Sequence, residues 1–276
     1  MEKRKRVYPT ERNHNRLICS VLLVLAFALI MSGVFAKEKG EAFLLQKVPF
    51  STPVPLDESF DETWTEIDVE LPEYMWYAIQ TGVFENEETA RQSALAFQKR
   101  GAAGYLWENG RFRVLASAYP AEQEAQNVRE QLREQHQIDS YLYQISFPGV
   151  TLRLKGMQGQ LNILQAAFSH VHELAIQLQK LSVALDRQEV SVQETVQSVL
   201  AMKTQMDIVS LRLRQRFVAP KPETVEAILA VFDEFNTFAS GFSDDESVAA
   251  AGIKLKYQTF VTLWNIQTVY HTLNDT

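Results

Sequence analysis

Gln80, Arg111 and Arg113, together with Trp76, Tyr105 and Trp107, are the side chains whose types and spacing suit molecular recognition. An amide and two guanidinium groups present planar donors to hydroxyl, carbonyl and carboxylate oxygens, and flat aromatic rings cover the apolar faces of a ligand. Such a set binds without covalent chemistry. After residue 36 there is no Ser/His/Asp set, phosphate-cradling glycine loop or zincin spacing, so no catalytic residue, no enzyme activity and no cofactor is expected. His170 and His172 lie two apart, about 200° around a helix, and cannot converge on one metal ion. The single cysteine, Cys19, leaves no intrachain disulfide.

These residues need a sheet to align them. Trp76 to Phe84 is rich in aromatic and β-branched residues, and Asn86 then caps a helix with an apolar stripe of Ala90, Ala94, Leu95 and Phe97. Gly101 ends that helix, Tyr105 to Trp107 starts a second strand, and Asn109-Gly110 predicts a two-residue hairpin with both residues at positive φ. Ala121 to Gln135 repeats a helical period, and Tyr141 to Ile145 supplies a last strand. The order β-α-β-β-α-β lays two helices on one face of an antiparallel sheet and leaves the other face open. Alternation with Ile79, Leu106, Phe112 and Val114 in the core turns Trp76, Gln80, Tyr105, Trp107, Arg111, Arg113 and Leu115 to the open side. The duller alternatives are packing for the aromatics and an ion pair for Arg113.

Residues 74–146 resemble the SPOR domain, a module of bacterial division and sporulation proteins, whose fold is ferredoxin-like or RNP-like α+β. The resemblance rests on Ile79-Gln80-Thr81-Gly82-Val83-Phe84 followed by Phe112-Arg113-Val114. Departures are Val83, Arg111 and Ala116-Ser117-Ala118. The resemblance implies that the open face binds peptidoglycan glycan strands stripped of their stem peptides, and alignment with the family's last strand adds Tyr141 and Tyr143 to the surface. The same element order also fits an RNA-binding domain, but the net charge of −7 gives no attraction to phosphates, so no nucleic acid partner is expected.

The rest of the chain sets the location. Residues 1–16 form a basic tail with Lys3, Arg4, Lys5, Arg6, Arg12 and Arg16, and residues 17–36 are an uncharged run that matches a hydrocarbon core of about 30 Å. Positive charge ahead of it keeps the N-terminus cytoplasmic and exports the remainder, as a single-pass protein of the cell membrane. Val34-Phe35-Ala36 offers a cleavage site, yet the apolar run exceeds that of a cleaved signal, which favours an uncleaved transmembrane anchor. Residues 37–73, acidic and containing Pro49, Pro53, Pro55 and Pro72, read as a linker. The sheet domain then occupies 74–148.

Residues 149–276 read as an all-α bundle of four helices. Leu161, Leu164, Phe168, Val171, Leu174 and Leu178 keep three- and four-residue intervals, as do Val192, Val196, Val199, Met202, Met206 and Val209, so the long pair is expected to suit a coiled coil. The leading expectation is a non-enzymatic, membrane-anchored binder of denuded glycan at the septum. The alternative is an envelope scaffold whose helices bind a divisome or other envelope protein or self-associate, with the sheet only structural.

Overall fold

The computed structural model describes residues 63–274. The basic tail, the expected anchor and most of the expected linker lie outside the described residues. Among the described residues no helix is long and apolar enough to cross a membrane.

Strands β1 (Trp64–Leu71) and β2 (Tyr74–Phe84) precede helix α1 (Glu87–Gln98), then β3 (Tyr105–Glu108), β4 (Phe112–Tyr119), α2 (Glu122–His136) and β5 (Tyr141–Phe147). Strand β6 (Val150–Met157) leads into four helices: α3 (Gln158–Asp186), α4 (Val192–Arg216), α5 (Glu223–Ser240) and α6 (Val248–Asn274). The main sheet is antiparallel in the order β3-β4-β2-β5. Asn86 caps α1 by accepting from the Thr89 N–H at 3.0 Å. Gly104 is required twice: its φ is +56°, and a Cβ there would stand 2.5 Å from the Ala94 carbonyl oxygen of α1. Helices α1 and α2 cover one face of the sheet through Ala90, Ala94, Ala125, Val128 and Leu132, packed with Ile79, Val114 and Ala116.

Three expectations change. The hairpin forms, but Glu108 pairs with Phe112, and only Gly110 in the turn has positive φ. Asn109 donates its backbone N–H to the Arg111 carbonyl at 3.1 Å. The loop therefore has three residues, and Arg111 sits in it rather than on the strand. Residues 64–71, expected in the linker, form β1 and pair antiparallel with β6, which was expected to be helical. Their acidic residues alternate with apolar ones: Ile67, Val69 and Leu71 turn inward, while Glu66 and Asp68 meet Lys155 and Arg153 across the ladder, each at 3.2 Å.

The third change matters most. The four helices do form, α3 packing on α4 and α6, and α5 on α4 and α6, with Ser191 and Glu194 in a capping box at the start of α4. The long pair folds back at Arg187–Ser191 instead of extending. The bundle also packs onto the face of the main sheet that was expected to stay open. One continuous apolar core runs from Trp76, Trp107, Leu115, Ile145 and Phe147 of the sheet into the interior of the bundle. Helices thus lie on both faces of the sheet and cover the second only in part.

Candidate functional site on the half-covered sheet face

Alternation along the strands places Trp76, Gln80, Tyr105, Trp107, Arg113, Tyr141 and Tyr143 on the side away from α1 and α2, as expected. What lies opposite them divides them in two.

Helix α6 crosses this face diagonally, from Tyr105 on edge strand β3 to Phe147 at the far end of β5. Phe260 stacks on Tyr105 with centroids 5.3 Å apart, Tyr257 meets the same ring edge-on at 5.1 Å, and Tyr270 approaches Phe147 at 5.6 Å. From α3, His172 stacks on Tyr74 at 4.1 Å, and the Tyr270 Oη lies 3.1 Å from its Nε2. Burial among these rings lowers the His172 pKa to about 4, so the imidazole is neutral at pH 7. Trp76 and Trp107 are sealed, at 3% and 1% exposure. A buried ion pair pins this cover in register: Lys256 Nζ lies 2.7 Å from Asp186 Oδ2 and donates to the Gly101 carbonyl at 3.0 Å. That tie joins α3, α6 and the turn after α1. Burial pushes the Asp186 carboxyl up, against the pull of the Lys256 ammonium.

Lifting α6 would return Trp76, Trp107, Leu115, Ile145 and Phe147 to water. At about 1.5–3 kcal/mol each, that is roughly 8–15 kcal/mol from the sheet side alone. This matches the whole stability of a typical domain, about 5–15 kcal/mol. The cover is structural: it seals Trp76 and Trp107 and leaves Tyr105 half-buried under Phe260 and Tyr257.

The corner beyond the diagonal stays uncovered. Tyr141 is 67% exposed and lies directly across the ladder from Gln80. Arg113 donates from Nη1 to Gln80 Oε1 at 2.9 Å and holds its guanidinium 4.7 Å from the centroid of the Tyr143 ring. Asn109, in the hairpin loop, donates from Nδ2 to Tyr143 Oη at 3.2 Å. Gln80 is 8% exposed, its acceptor taken by Arg113, so it acts by aiming the guanidinium. Arg111 is exposed beside this corner and faces Glu85 at 3.8 Å. The corner therefore offers two phenol rings and the Arg113 guanidinium.

Sequence reasoning missed Asn109 as a partner of Tyr143, and Trp264 of α6, which packs edge-on to Trp107 at 5.0 Å. A signal for the second was present. Helix α6 spreads Leu255, Phe260, Leu263, Trp264, Ile266 and Tyr270 over about half of its circumference, an apolar face broader than one neighbouring helix covers.

No curated protein and no solved structure matches this chain. A family model does match, over residues 76–144, a stretch that runs from β2 into β5 and holds both helices α1 and α2; that part of the chain is a SPOR domain.

Proposed function

We propose that this chain is a non-enzymatic envelope protein that binds peptidoglycan glycan strands with the uncovered corner of its SPOR domain, at the septum in division or sporulation. A SPOR domain points to peptidoglycan binding in cell division. The observation that carries the finer reading is the arrangement of exposed Tyr141 beside half-buried Tyr143 and Arg113, the latter oriented by Gln80, at the corner of the sheet face. Aromatic rings suit the apolar faces of sugar rings, and guanidinium groups suit N-acetyl and lactyl oxygens. Denuded strands are the form that the resemblance to the SPOR family implies. The apolar run at 17–36 supports a single-pass anchor, with the N-terminus in the cytoplasm and the bulk of the chain outside.

The test is sedimentation of the detergent-solubilised full chain with sacculi. Amidase-treated sacculi should pellet it, untreated ones much less, and the double variant Gln80→Ala, Arg113→Ala should stay in the supernatant. Equal recovery with both kinds of sacculi, or none with either, contradicts the proposal.

One observation favours a second reading. Because α3 and α6 use most of the sheet face as packing surface, the sheet can serve as a buttress for a bundle whose outer side binds another envelope protein. In-cell crosslinking from exposed Leu200 and Leu211 of α4 tests it, and the absence of any crosslinked neighbour sinks it.

A further inference from the structure

We infer that Trp264, which lies outside the SPOR domain, is a wall of the glycan-binding corner, so that the C-terminal helix and the sheet build one composite site. This rests on the glycan reading above and adds to it a contact residue and a limit on the length of ligand.

Helix α6 keeps a single exposed stripe, with Lys254, Tyr257, Trp264, Thr268 and His271 at steps of three, four or seven residues. Within that stripe Trp264 sits where the covered and uncovered halves of the sheet face meet. Its ring stands edge-on to Trp107 at 5.0 Å and 81°, and Trp107 in turn meets Tyr143 at 6.4 Å and 60°. The guanidinium of Arg113 over Tyr143 completes the series. Trp107 is sealed, whereas Trp264 keeps 37% of its surface in solvent. Its orientation is thus fixed by the contact with Trp107 before any ligand arrives, and little rotamer freedom is lost on binding.

The chemistry fits an N-acetylated sugar ring. Apolar ring surface is available at Trp264 and at Tyr141, and charged donors lie between them at Arg113. The body of α6 rises immediately behind Trp264 and blocks the diagonal of the face. A bound strand is confined to the corner and contacts the protein over a short stretch of sugars, not along the whole sheet.

The experiment is sedimentation of the full chain with amidase-treated sacculi, comparing wild type with Trp264→Ala, Trp264→Tyr and Tyr141→Ala, and thermal melts of each. Trp264→Ala should weaken binding about fivefold in a chain that stays folded but melts at a lower temperature, because the edge-on contact with Trp107 is lost, with Trp264→Tyr restoring most of both. If Tyr141→Ala loses binding while Trp264→Ala pellets like wild type, the glycan reading stands and the composite site is overturned. Stronger pelleting of Trp264→Ala also overturns it, since the helix then only obstructs. A wild-type chain that never pellets overturns both. A second readout does not depend on the alanine variant folding. In the Trp64→Phe chain, acrylamide quenching reports mainly Trp264, because Trp76 and Trp107 are sealed. Added denuded glycan fragments should reduce that quenching, and unchanged quenching overturns the proposal.

Discussion

Two halves of one sheet face carry the same kinds of residue and meet different surroundings. On the diagonal under α6, Tyr105 and Trp107 are packed against Phe260 and Trp264, and a buried Lys256–Asp186 pair is tied to Gly101. At the corner, Tyr141 stays in solvent, and half-buried Tyr143 and Arg113 are held by Asn109 and Gln80 of their own sheet domain. Strand alternation decides which side of a sheet a residue faces, and says nothing about what covers that side. An aromatic row on a second sheet face is therefore a site only where the rest of the chain leaves it uncovered.

The sharpest contrast is between Trp107→Ala and Tyr141→Ala. Loss of the sealed indole should cost about 3–5 kcal/mol, read as a fall in the urea midpoint. Tyr141→Ala, on the exposed corner, should change stability by less than about 0.5 kcal/mol while abolishing sedimentation with treated sacculi. Equal stability effects would erase the distinction between the halves.

Lys256→Met tests the tie that sets the register of the cover. It strands the Asp186 carboxylate in a buried site, an effect of roughly 3 kcal/mol, and the double variant Lys256→Met, Asp186→Leu should recover most of the loss. A single variant as stable as wild type would mean that the pair is dispensable.

A smaller effect concerns pH. The His172 pKa falls from 6.5 to about 4 on folding, so in that window the unfolded chain binds a proton that the folded chain refuses. The stability that this group contributes is complete above pH 6.5 and is lost as pH falls towards 4. At pH 5 the loss is roughly 2 kcal/mol. His172→Phe should flatten that part of the stability profile, and an unaltered slope from pH 7 to 5 would place the titration elsewhere.

Much of this was legible in the sequence. Alternation about Ile79 and Val114, the Asn86 cap and the positive-φ Gly110 follow from local chemistry, so the sheet, its two helices and the facing of Gln80 and Arg113 could be read from short windows. The pairing of β1 with β6 could not be read with the same ease. Acidic residues at 66, 68 and 70 resemble a solvated tether, and their basic partners lie some 85 residues away. The cover by α6 was the least visible. It is a long-range contact between segments more than 100 residues apart, signalled only by the breadth of the apolar face of α6 and by Leu115 on a face expected to be wet.

The central claim is that ligand reaches the corner and not the covered diagonal. Hydroxyl-radical footprinting of the full chain, with and without denuded glycan strands, tests this most directly. The account predicts protection at Tyr141 and Tyr143 on addition of glycan, with Trp76 and Trp107 unreactive in both states. Increased labelling of Trp76 and Trp107 on binding would show that α6 lifts away and that the whole face is the site, which would contradict it.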